Sequence, residues 1–399
     1  MEIGNRRQLP LEGVTVIALE QAVAAPLCTR HLAEQGARVI KIERPGEGDF
    51  ARGYDTRVKG LSSHFVWANR SKESLTLNIK SEAGQHILHQ LLSKADVFVQ
   101  NLAPDACSRL GLSFSTLHSR YPGLIVCDIS GYGQGGPYQH KKAYDLLIQS
   151  ESGFLSVTGS PEEGGMAKAG CSVADISAGM YAYSSIMSAL LLRARTGEGS
   201  HIDVSMLECL VEWMGHPLYY SFEGAQPPPR AGASHATIYP YGPFPIGDGG
   251  VVMLGLQNNR EWKVFCEQVL QDDSLASDPL YVDVPLRSEH RIELSARITA
   301  AFRSMSTQEV VNRLDNVGIA NALVNNMADV WAHPQLKARG RWQEVQTPAG
   351  AIPSLKAPGI WFEDTVSAVP ALGEHTTAIL SELGYSENQA HNFINQGVV

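Results

Sequence analysis

The stretch VTVIALEQAVAAPLCTRHLAEQGARVIKIE (Val14–Glu43) decides the fold class of this 399-residue chain. It holds two apolar β-rich runs, VTVIALE and ARVIKIE, and between them an amphipathic segment that stops at Gly36. Two buried strands joined through a helix form a βαβ unit, in which the strands run parallel. The stretch therefore predicts an α/β fold.

The same alternation continues along the first 150 residues. Further strands are predicted at Ser74–Ile79, Asp96–Leu102 and Leu124–Gly131, and Ser81 is placed to cap the helix SEAGQHILHQLLSKA. Repeated units of this kind build a doubly wound, mostly parallel, Rossmann-like sheet. Such sheets bind ligands at the carboxyl ends of their strands, so the loops after the strands carry the candidate site.

A second, smaller α+β region is predicted beyond a proline-rich linker. The linker EGAQPPPRAGAS (Glu223–Ser234) has three consecutive prolines. After it come a strand in GVVMLGL, helices in REWKVFCEQVL and EHRIELSARITAAFRSM, and a strand in IANALVNN. The tail PALGEHTTAILSELGYS predicts one more amphipathic helix that needs a surface to pack on.

Composition narrows the function classes. A net charge of −9 disfavours nucleic acid as a partner. Six scattered cysteines without paired spacing favour reduced thiols over disulfides or a zinc site, so no metal is expected. The N-terminus has no apolar signal-like region, and the helix near Ile176–Leu192 has too many polar residues to span a membrane. We expect a cytoplasmic enzyme or binding protein, with that helix buried in the core.

Two loop motifs have competing interpretations. GYGQGG (Gly131–Gly136) is not followed by a helix, so it predicts a tight turn with close backbone approach rather than a dinucleotide fingerprint. NRSKES (Asn69–Ser74) is either a solvated basic loop or a phosphate clamp. Basic residues in comparable loops, namely Arg44, Arg109 and Lys142, make a ligand with several phosphates the functional alternative.

One carboxylate stands among small and apolar residues in GCSVADISAGMYAY (Gly170–Tyr183). Asp175 is either the N-cap of a long helix or an ionised, partly dry nucleophile. Its neighbour Cys171 is expected in the core, and His201 and His375 are expected to be structural. No serine-hydrolase elbow or H-E-x-x-H motif competes with it.

Several segments together resemble the family III CoA-transferases, in the family's order across nearly the whole chain. They include GARVIKIERPGEGDFAR, DVFVQNLAPD, CDISGYGQGGPY, VADISAGMYA and HPQLKARG. The resemblance implies a large domain over 1–225, a small α+β domain over 226–326 and a segment over 327–399 that returns to the large domain. It also implies an intertwined homodimer whose active sites draw on both subunits.

The resemblance places the catalytic nucleophile at Asp175. It implies CoA contacts at Val23, Ala24, Arg44, Arg70, Lys72, Ser74, Asn101, Arg109, Lys142 and Tyr144. The implied chemistry exchanges CoA between an acyl-CoA, with succinyl-CoA expected as the donor, and small carboxylic acids. The path runs through an aspartyl mixed anhydride and an aspartyl-CoA thioester, and the carboxylate is expected to be ionised at pH 7 without a general base.

Departures from the family pattern shape the expected substrate. Formyl-CoA transferases have glutamine at the position of Val23 and a glycine run in the lid, for which HATIYPYGPFPIGDGG (His235–Gly250) is the counterpart here. Both departures disfavour the formyl-CoA and oxalate pair. The segment before and through this lid looks like that of transferases acting on itaconate, mesaconate or citramalate. His235, Tyr239, Tyr241 and Arg52 are candidates for binding the distal carboxylate.

Other classes remain as alternatives. An α-methylacyl-CoA racemase of the same fold has histidine where Tyr144 stands, and a tyrosine with a pKa near 10 is a poor base at neutral pH. An NAD-dependent oxidoreductase requires a glycine fingerprint where EQAVAAP stands. A non-catalytic CoA-binding scaffold has no need of Asp175.

Overall fold

A computed structural model describes residues 9–362 and 366–399. The chain divides into two compact units. Unit 1 takes the described residues up to Ser152, Ala169–Met214 and Leu336–Val399, and unit 2 takes Gly153–Lys168 and Gly215–Gln335. The small domain predicted over 226–326 falls within unit 2, whereas the N-terminal end of the chain, predicted to lack a signal peptide, lies outside the described residues.

Unit 1 is built on a six-stranded sheet in which every pair of neighbouring strands is parallel. Its strands are β1 (Thr15–Leu19), β2 (Arg38–Glu43), β3 (Glu73–Thr76), β4 (Val97–Gln100), β5 (Ile125–Ser130) and β6 (His201–Ser205). Their order is β3-β2-β1-β4-β5-β6. The order reverses direction between β1 and β4, the place where open α/β sheets bind ligands. The predicted α/β class and parallel sheet are confirmed.

The remaining strands form two small antiparallel sheets. They are β7 (Tyr241–Pro245), β8 (Val251–Gly255), β9 (Asn321–Leu323), β10 (Trp342–Val345) and β11 (Ile352–Leu355), paired β7-β8-β9 and β10-β11. The helices are α1 (Ala24–Glu34), α2 (Ser63–Asn69), α3 (Glu82–Leu92), α4 (Ala106–Arg109), α5 (Phe114–Arg120), α6 (Asp145–Glu151), α7 (Phe154–Val157), α8 (Val173–Thr196), α9 (Met206–Trp213), α10 (Gly215–Tyr220), α11 (Asn259–Val264), α12 (Asp273–Ala276), α13 (Val284–Glu289), α14 (Arg291–Phe302), α15 (Thr307–Asn316), α16 (Met327–Trp331), α17 (Pro334–Ala338), α18 (Thr376–Glu382) and α19 (Glu387–Asn395). None of the helices in residues 9–362 and 366–399 is both long and apolar enough to cross a membrane.

The six-stranded sheet separates two helical layers. On one face, the α3 residues Ile87 and Leu91 pack with Phe98 of β4 and with Leu380 of α18. On the other face α1 packs along α8. The apolar alternation of the strands produces this arrangement, because successive side chains point to opposite faces.

Unit 2 has its own apolar core beneath β7-β8-β9. Trp262, Phe265 and Phe302 are fully buried in it, and α11 continues into a π-helical segment, Phe265–Leu270. The buried Arg287 guanidinium donates to the carbonyls of Tyr239 (3.3 Å) and Tyr281 (2.8 Å). The second region is therefore α+β, as predicted from its strand and helix patterns.

Two elements differ from the sequence analysis. His201–Ser205 forms the edge strand β6, which was not predicted. The long helix α8 is not buried on all sides. Its buried face carries small residues, whereas Leu191 is 68% and Leu192 is 45% exposed.

A buried network of charges ties β1 to β2 and to the loop before β3. The Glu20 carboxylate accepts hydrogen bonds from Lys72 Nζ (2.6 Å), Lys41 Nζ (3.3 Å) and Thr29 Oγ1 (2.6 Å). Lys41 Nζ also lies 2.8 Å from an oxygen of Asp49. Burial raises the pKa of Glu20, but Lys72 and Lys41 together outweigh it and hold the pKa below its usual value. Removing one member leaves a charge buried without its full set of partners.

Replacing Lys72 with methionine is therefore expected to destabilise the fold. The Lys72→Met variant leaves Glu20 buried with one ammonium partner, which costs about 3 kcal/mol in the free energy of unfolding. Urea unfolding followed by circular dichroism measures the change. The matched control is Arg44→Met, whose ion pair with Glu47 is exposed and is worth less than about 1 kcal/mol. Equal stability of the two variants would show that the network contributes nothing.

Candidate active site

Asp175 lies in the first turn of α8, beside the N-terminus of α1. Helix α8 begins at Val173 with Ser172 as its N-cap, so the N-cap interpretation of Asp175 is wrong. Its carboxylate instead accepts a hydrogen bond from the backbone N–H of Ala24, the first residue of α1. An anion at a helix N-terminus is stabilised by the free N–H groups there.

Asp145 satisfies the first turn of α8 in place of a local cap. Its Oδ1 accepts from the backbone N–H of Ala174 (2.8 Å) and of Asp175 (3.3 Å), and its Oδ2 accepts from Gln149 Nε2 (2.6 Å). Asp145 is the first residue of α6, next to Tyr144. Two carboxylates thus lie near one helix terminus, and the sequence analysis missed the second.

The surroundings of Asp175 oppose its ionisation. Burial, followed by the like charge of Asp145, raises its pKa to about 7, whereas the hydrogen bond from Ala24 lowers it. The expectation of a carboxylate fully ionised at pH 7 is therefore wrong, because desolvation and a second carboxylate outweigh the helix terminus.

Gly179 allows α1 to approach α8 closely enough for the Ala24 hydrogen bond. A Cβ at Gly179 would lie 2.7 Å from the carbonyl oxygen of Ala24 and 3.3 Å from Cβ of Leu27. The first distance is shorter than real Cβ atoms show, and the second is tighter than most Cβ contacts. A larger residue here would push the two helices apart and move Ala24 away from Asp175.

Tyr54 is a second residue of this region that the sequence analysis missed. Burial, then the charges of Asp49 and Asp175 and the phenol of Tyr144, raises the pKa of Tyr54 to about 12. Tyr54, on the loop after β2, and Tyr144, just before α6, are thus electrostatically coupled to each other, and Tyr54 is also coupled to Asp175. The position of Tyr54 in ARGYD, after a predicted strand end, was the signal available in the sequence.

Three of the residues predicted to contact CoA have no exposed side chain. Arg70 pairs with Glu34 and donates to the carbonyl of Leu355, and Lys72 belongs to the Glu20 network. Ser74 Oγ donates to Glu43 (2.7 Å). All three are at most 4% exposed. The NRSKES segment is thus neither a solvated loop nor an open phosphate clamp, since its polar groups hold β3 and its neighbours together.

The loop after β1 is positioned by Asn101, at the point where the sheet order reverses. Asn101 accepts from the N–H of Gln21 (2.8 Å) and donates to its carbonyl (2.9 Å). Asp49 accepts from the N–H of Ala22 (3.1 Å), which has a left-handed φ of 62°. Val23 and Ala24 follow, both nearly buried, so any contact they make is through the backbone.

The other predicted CoA contacts are exposed. Arg44, Arg109, Lys142 and Tyr144 all lie at the surface of unit 1, and Tyr144 is 68% exposed. Arg44 pairs with Glu47 across an exposed surface. Three of the predicted cations therefore lie at the surface, in the segments that follow β2, β4 and β5.

A cavity of about 390 Å³ lies on the other face of the sheet from α8. Gln100, Asp128 and Asp203 line it and are register partners on β4, β5 and β6. The adjacent Cys127 points the opposite way, toward Cys28 of α1. Neither Asp175 nor any predicted CoA contact lines this cavity.

The glycine turn borders this cavity. Gly133, Gly135 and Gly136 have positive φ, and a Cβ at Gly131 would lie 2.2 Å from Cβ of Ala143, which confirms the predicted turn with close backbone approach. Gln134 of the turn donates to Asp128 (3.0 Å).

Three expected structural residues have different outcomes. His201 bonds Asp128 (2.8 Å), which raises the pKa of His201, and His375 Nδ1 accepts from the N–H of Ser74 (3.2 Å), so both are structural as predicted. Cys171 was expected in the core but is exposed. It lies on the loop before α8, outside the packed part of that helix.

Two candidates for a distal carboxylate are also occupied. Arg52 makes a two-point ion pair with Glu43, at 2.7 and 2.8 Å, and Tyr239 is 4% exposed. His235 and Tyr241 are the candidates of that set that keep exposed surface.

Comparison with known proteins identifies the family. The model of CoA-transferase family III matches residues 11–376. The human succinyl-CoA:glutarate CoA-transferase is 33% identical over 98% of this chain and 90% of its own length. The succinyl-CoA:mesaconate CoA-transferase of Haloarcula marismortui is 31% identical over 94% of this chain and 96% of its own length.

A solved structure agrees with this assignment. The crystal structure of a CAIB/BAIF family protein from Brucella suis superposes with a TM-score of 0.82 at 31% identity, over 94% of this chain and 100% of that one. The chain belongs to CoA-transferase family III and is a CoA-transferase. The predicted family and enzyme class are confirmed.

The raised pKa of Asp175 has a measurable effect on stability. Since the folded-state pKa lies above the unfolded value of 3.8, the folded protein loses stability as pH rises from about 4 to 7. Asp175→Asn avoids this loss. We expect its gain in the free energy of unfolding to be about 2–3 kcal/mol larger at pH 8 than at pH 5, measured by urea unfolding.

Two further variants control this measurement. In an Asp145→Asn background the gain shrinks, because one cause of the raised pKa has been removed. Asp273→Asn, at an exposed carboxylate, should show no such pH dependence. A gain from Asp175→Asn that is equal at both pH values would contradict the assignment.

Proposed function

We propose that this enzyme exchanges CoA between succinyl-CoA and a small dicarboxylic acid, with Asp175 as nucleophile. The observation that carries the proposal is the position of Asp175. Its carboxylate is largely removed from water and accepts the N–H of Ala24 at the N-terminus of α1. A desolvated carboxylate is a stronger nucleophile than a hydrated one, and exclusion of water protects acyl intermediates from hydrolysis.

The proposed reaction needs no proton transfer. A carboxylate oxygen of Asp175 attacks the thioester carbonyl of succinyl-CoA, and the C–S bond breaks to give a mixed anhydride and CoA thiolate. The thiolate then attacks the aspartyl carbonyl, which releases succinate and leaves an aspartyl-CoA thioester. The acceptor carboxylate displaces the thiolate to form a second anhydride. Attack of the thiolate on the acceptor carbonyl gives the new acyl-CoA and restores Asp175.

CoA binding is assigned to the exposed cations of unit 1. Arg44, Arg109 and Lys142 follow β2, β4 and β5 and supply charge for the phosphates. Arg44 would exchange Glu47 for a phosphate. The backbone at Val23 and Ala24, the Asn101 amide and the exposed Tyr144 ring complete the proposed Rossmann-like CoA site. Arg70, Lys72 and Ser74 act indirectly, by fixing the strands that carry these loops.

The substrate class rests on relatives and on the sequence of unit 2. Relatives of this chain are named for the transfer of CoA from succinyl-CoA to glutarate or mesaconate. These acids are dicarboxylic, as are itaconate and citramalate. We take glutarate and mesaconate as the first acceptors to test, followed by itaconate and citramalate.

The test is a thioester-exchange assay with the purified enzyme. Succinyl-CoA is mixed with each free acid, and new acyl-CoA species are followed by mass spectrometry. We expect exchange with at least one dicarboxylic acid and a loss of more than about 10³-fold in Asp175→Ala, since removing a nucleophile abolishes the covalent route. Absence of exchange with every acid, or undiminished exchange in the variant, would refute the proposal.

A homodimer is part of the proposal. In unit 1, Leu191 (68%), Leu192 (45%) and Trp213 (48%) are exposed, and in unit 2 Tyr219 (78%) and Phe222 (65%) are exposed. Leu191 and Leu192 are adjacent on α8, and adjoining exposed apolar side chains are typical of a surface that another chain covers.

Sedimentation equilibrium tests the dimer. We expect twice the chain mass at micromolar concentration, and at least tenfold weaker self-association for Leu191→Glu, which places a charge in the proposed interface. Ile292→Glu, at a residue 81% exposed on α14, is the control. A wild-type monomer under these conditions would exclude the dimer.

A further inference from the structure

A fully buried glutamine of unit 1 lies two hydrogen bonds away from the backbone of the nucleophile. Gln149 lies one turn after Asp145 on α6 and is 0% exposed. Its Nε2 donates to Oδ2 of Asp145 (2.6 Å), and its Oε1 accepts from the backbone N–H of Ala169 (2.9 Å). An uncharged side chain that is removed from water and bonded at both ends is suited to hold its partners in place.

The two ends of the Gln149 amide cannot exchange places. The N–H of Ala169 is a donor, so the end that meets it is the oxygen, and the NH2 group faces Asp145. On its other side, Oδ1 of Asp145 accepts from the N–H groups of Ala174 (2.8 Å) and Asp175 (3.3 Å). Asp145 is therefore the acceptor in all three contacts, and each of its oxygens has a fixed role.

Gln149 also connects two segments that lead to the nucleophile. The chain leaves unit 1 after Ser152 and re-enters it at Ala169, shortly before α8 begins. The bond from Ala169 to Gln149 anchors this returning segment, and the bond from Gln149 to Asp145 holds the acceptor of the first turn of α8. Ser172, the N-cap residue, makes no side-chain hydrogen bond to that turn. The start of α8 therefore depends on α6.

We propose that Gln149 is a positioning residue for the CoA-transfer reaction, because it orients the Asp145 carboxylate and thereby fixes the turn of α8 that carries the nucleophile. This inference rests on the proposed function and adds to it a residue that is too deeply buried to touch CoA or the acid. Without the Gln149 donor the Asp145 side chain is free to rotate, and the N–H of Asp175 loses its acceptor. Small displacements of a reacting group are costly, since attack requires a close and aligned approach.

Exchanging the amide and the carboxylate between the two positions isolates this role. In Gln149→Glu alone, two carboxyl groups face each other where a donor met an acceptor. In Asp145→Asn alone, two NH2 groups face each other, since both amide oxygens are held by backbone N–H groups. The double variant Gln149→Glu/Asp145→Asn again places a donor opposite an acceptor, so every hydrogen bond of the wild type can form. Only the position of the negative charge has changed.

The first test measures transfer of CoA from succinyl-CoA to the dicarboxylic acid that the wild type uses best. Each single variant is expected to lower kcat/KM roughly 10- to 100-fold, the range for loss of a hydrogen bond to a charged group. The double variant is expected to recover to within about fivefold of the wild type, because the two positions act as a pair. Thermal melts check that each variant is folded.

Gln308→Glu is the matched control for the single variant. Gln308 Nε2 also donates to a side chain one turn away on its own helix, Asn312 Oδ1 at 2.9 Å, but this contact is exposed on α15. The control therefore introduces the same charge and removes the same kind of bond. It is expected to transfer CoA as the wild type does.

The pH profile separates positioning from a general loss of stability. Asp175 accepts from the Ala24 N–H of α1 and is coupled to Asp145 of α6 and to Tyr54, which stays neutral because its pKa is raised to about 12. The double variant moves the like charge of Asp145 one hydrogen bond farther from Asp175. Since the reaction needs the Asp175 anion, kcat/KM rises with pH, and the midpoint of this rise is expected at a lower pH in the double variant. A variant that is only less stable shows no such displacement.

The second test does not depend on catalysis. Gln149→Met keeps the approximate length of the side chain but removes both of its hydrogen bonds. Amides in the first turn of a helix have no partner within the helix, so the protection of Ala174 and Asp175 depends on Asp145. Their hydrogen exchange, followed by NMR, is expected to be at least about tenfold faster in Gln149→Met and unchanged in Gln308→Met.

The outcomes distinguish this inference from the proposed function. Absence of CoA transfer in the wild type would refute the proposed function. With wild-type transfer intact, full activity in folded Gln149→Glu or unchanged hydrogen exchange in folded Gln149→Met would overturn the role of Gln149. A double variant that folds but transfers CoA no better than the single variants would show that Gln149 supports the fold and not the reaction.

Discussion

The close approach of α1 and α8 is the constraint on which the rest of unit 1 depends. Gly179 makes that approach possible, because any Cβ there would collide with the carbonyl of Ala24. The approach brings the first N–H of α1 to the Asp175 carboxylate. The buried Glu20 carboxylate holds α1 to the sheet, because it accepts from Thr29 of α1 and pairs with Lys41 of β2 and with Lys72. The parallel sheet thus carries α1 on one face, and the packing of α8 on α1 determines where the Asp175 carboxylate lies.

Opposing electrostatic effects act on the Asp175 carboxylate. Burial and Asp145 destabilise the anion, whereas a single N–H stabilises it, and the pKa near 7 is the result. Asp145 cannot be removed without cost, because it caps the first turn of the helix that carries Asp175. One side chain therefore both orders the site and strains it electrostatically. Strain of this kind is typical of catalytic groups and is tolerated where the surrounding fold is firm.

Periodicity predicted the sheet, but residue type could not predict burial. Buried strands such as β1 and β2 are visible as apolar runs between turns, whereas β6, HIDVS, is a short edge strand with polar residues and was missed. Lys72 in NRSKES looked like a phosphate ligand, because its partner Glu20 is distant in sequence. Asp145 was overlooked for the same reason. Family resemblance located Asp175, but its pKa depends on burial and on Asp145, which only the folded structure brings beside it.

The cations of unit 1 divide between its interior and its surface. Lys41 and Lys72 are buried and pair with Glu20, and Lys41 also pairs with Asp49. Arg44, Arg109 and Lys142 are exposed at the surface. A buried ion pair broken at one partner leaves an uncompensated charge, whereas an exposed cation can change partners at little cost. The interior cations are therefore committed to the fold, and the proposed binding of phosphates falls to the exposed ones.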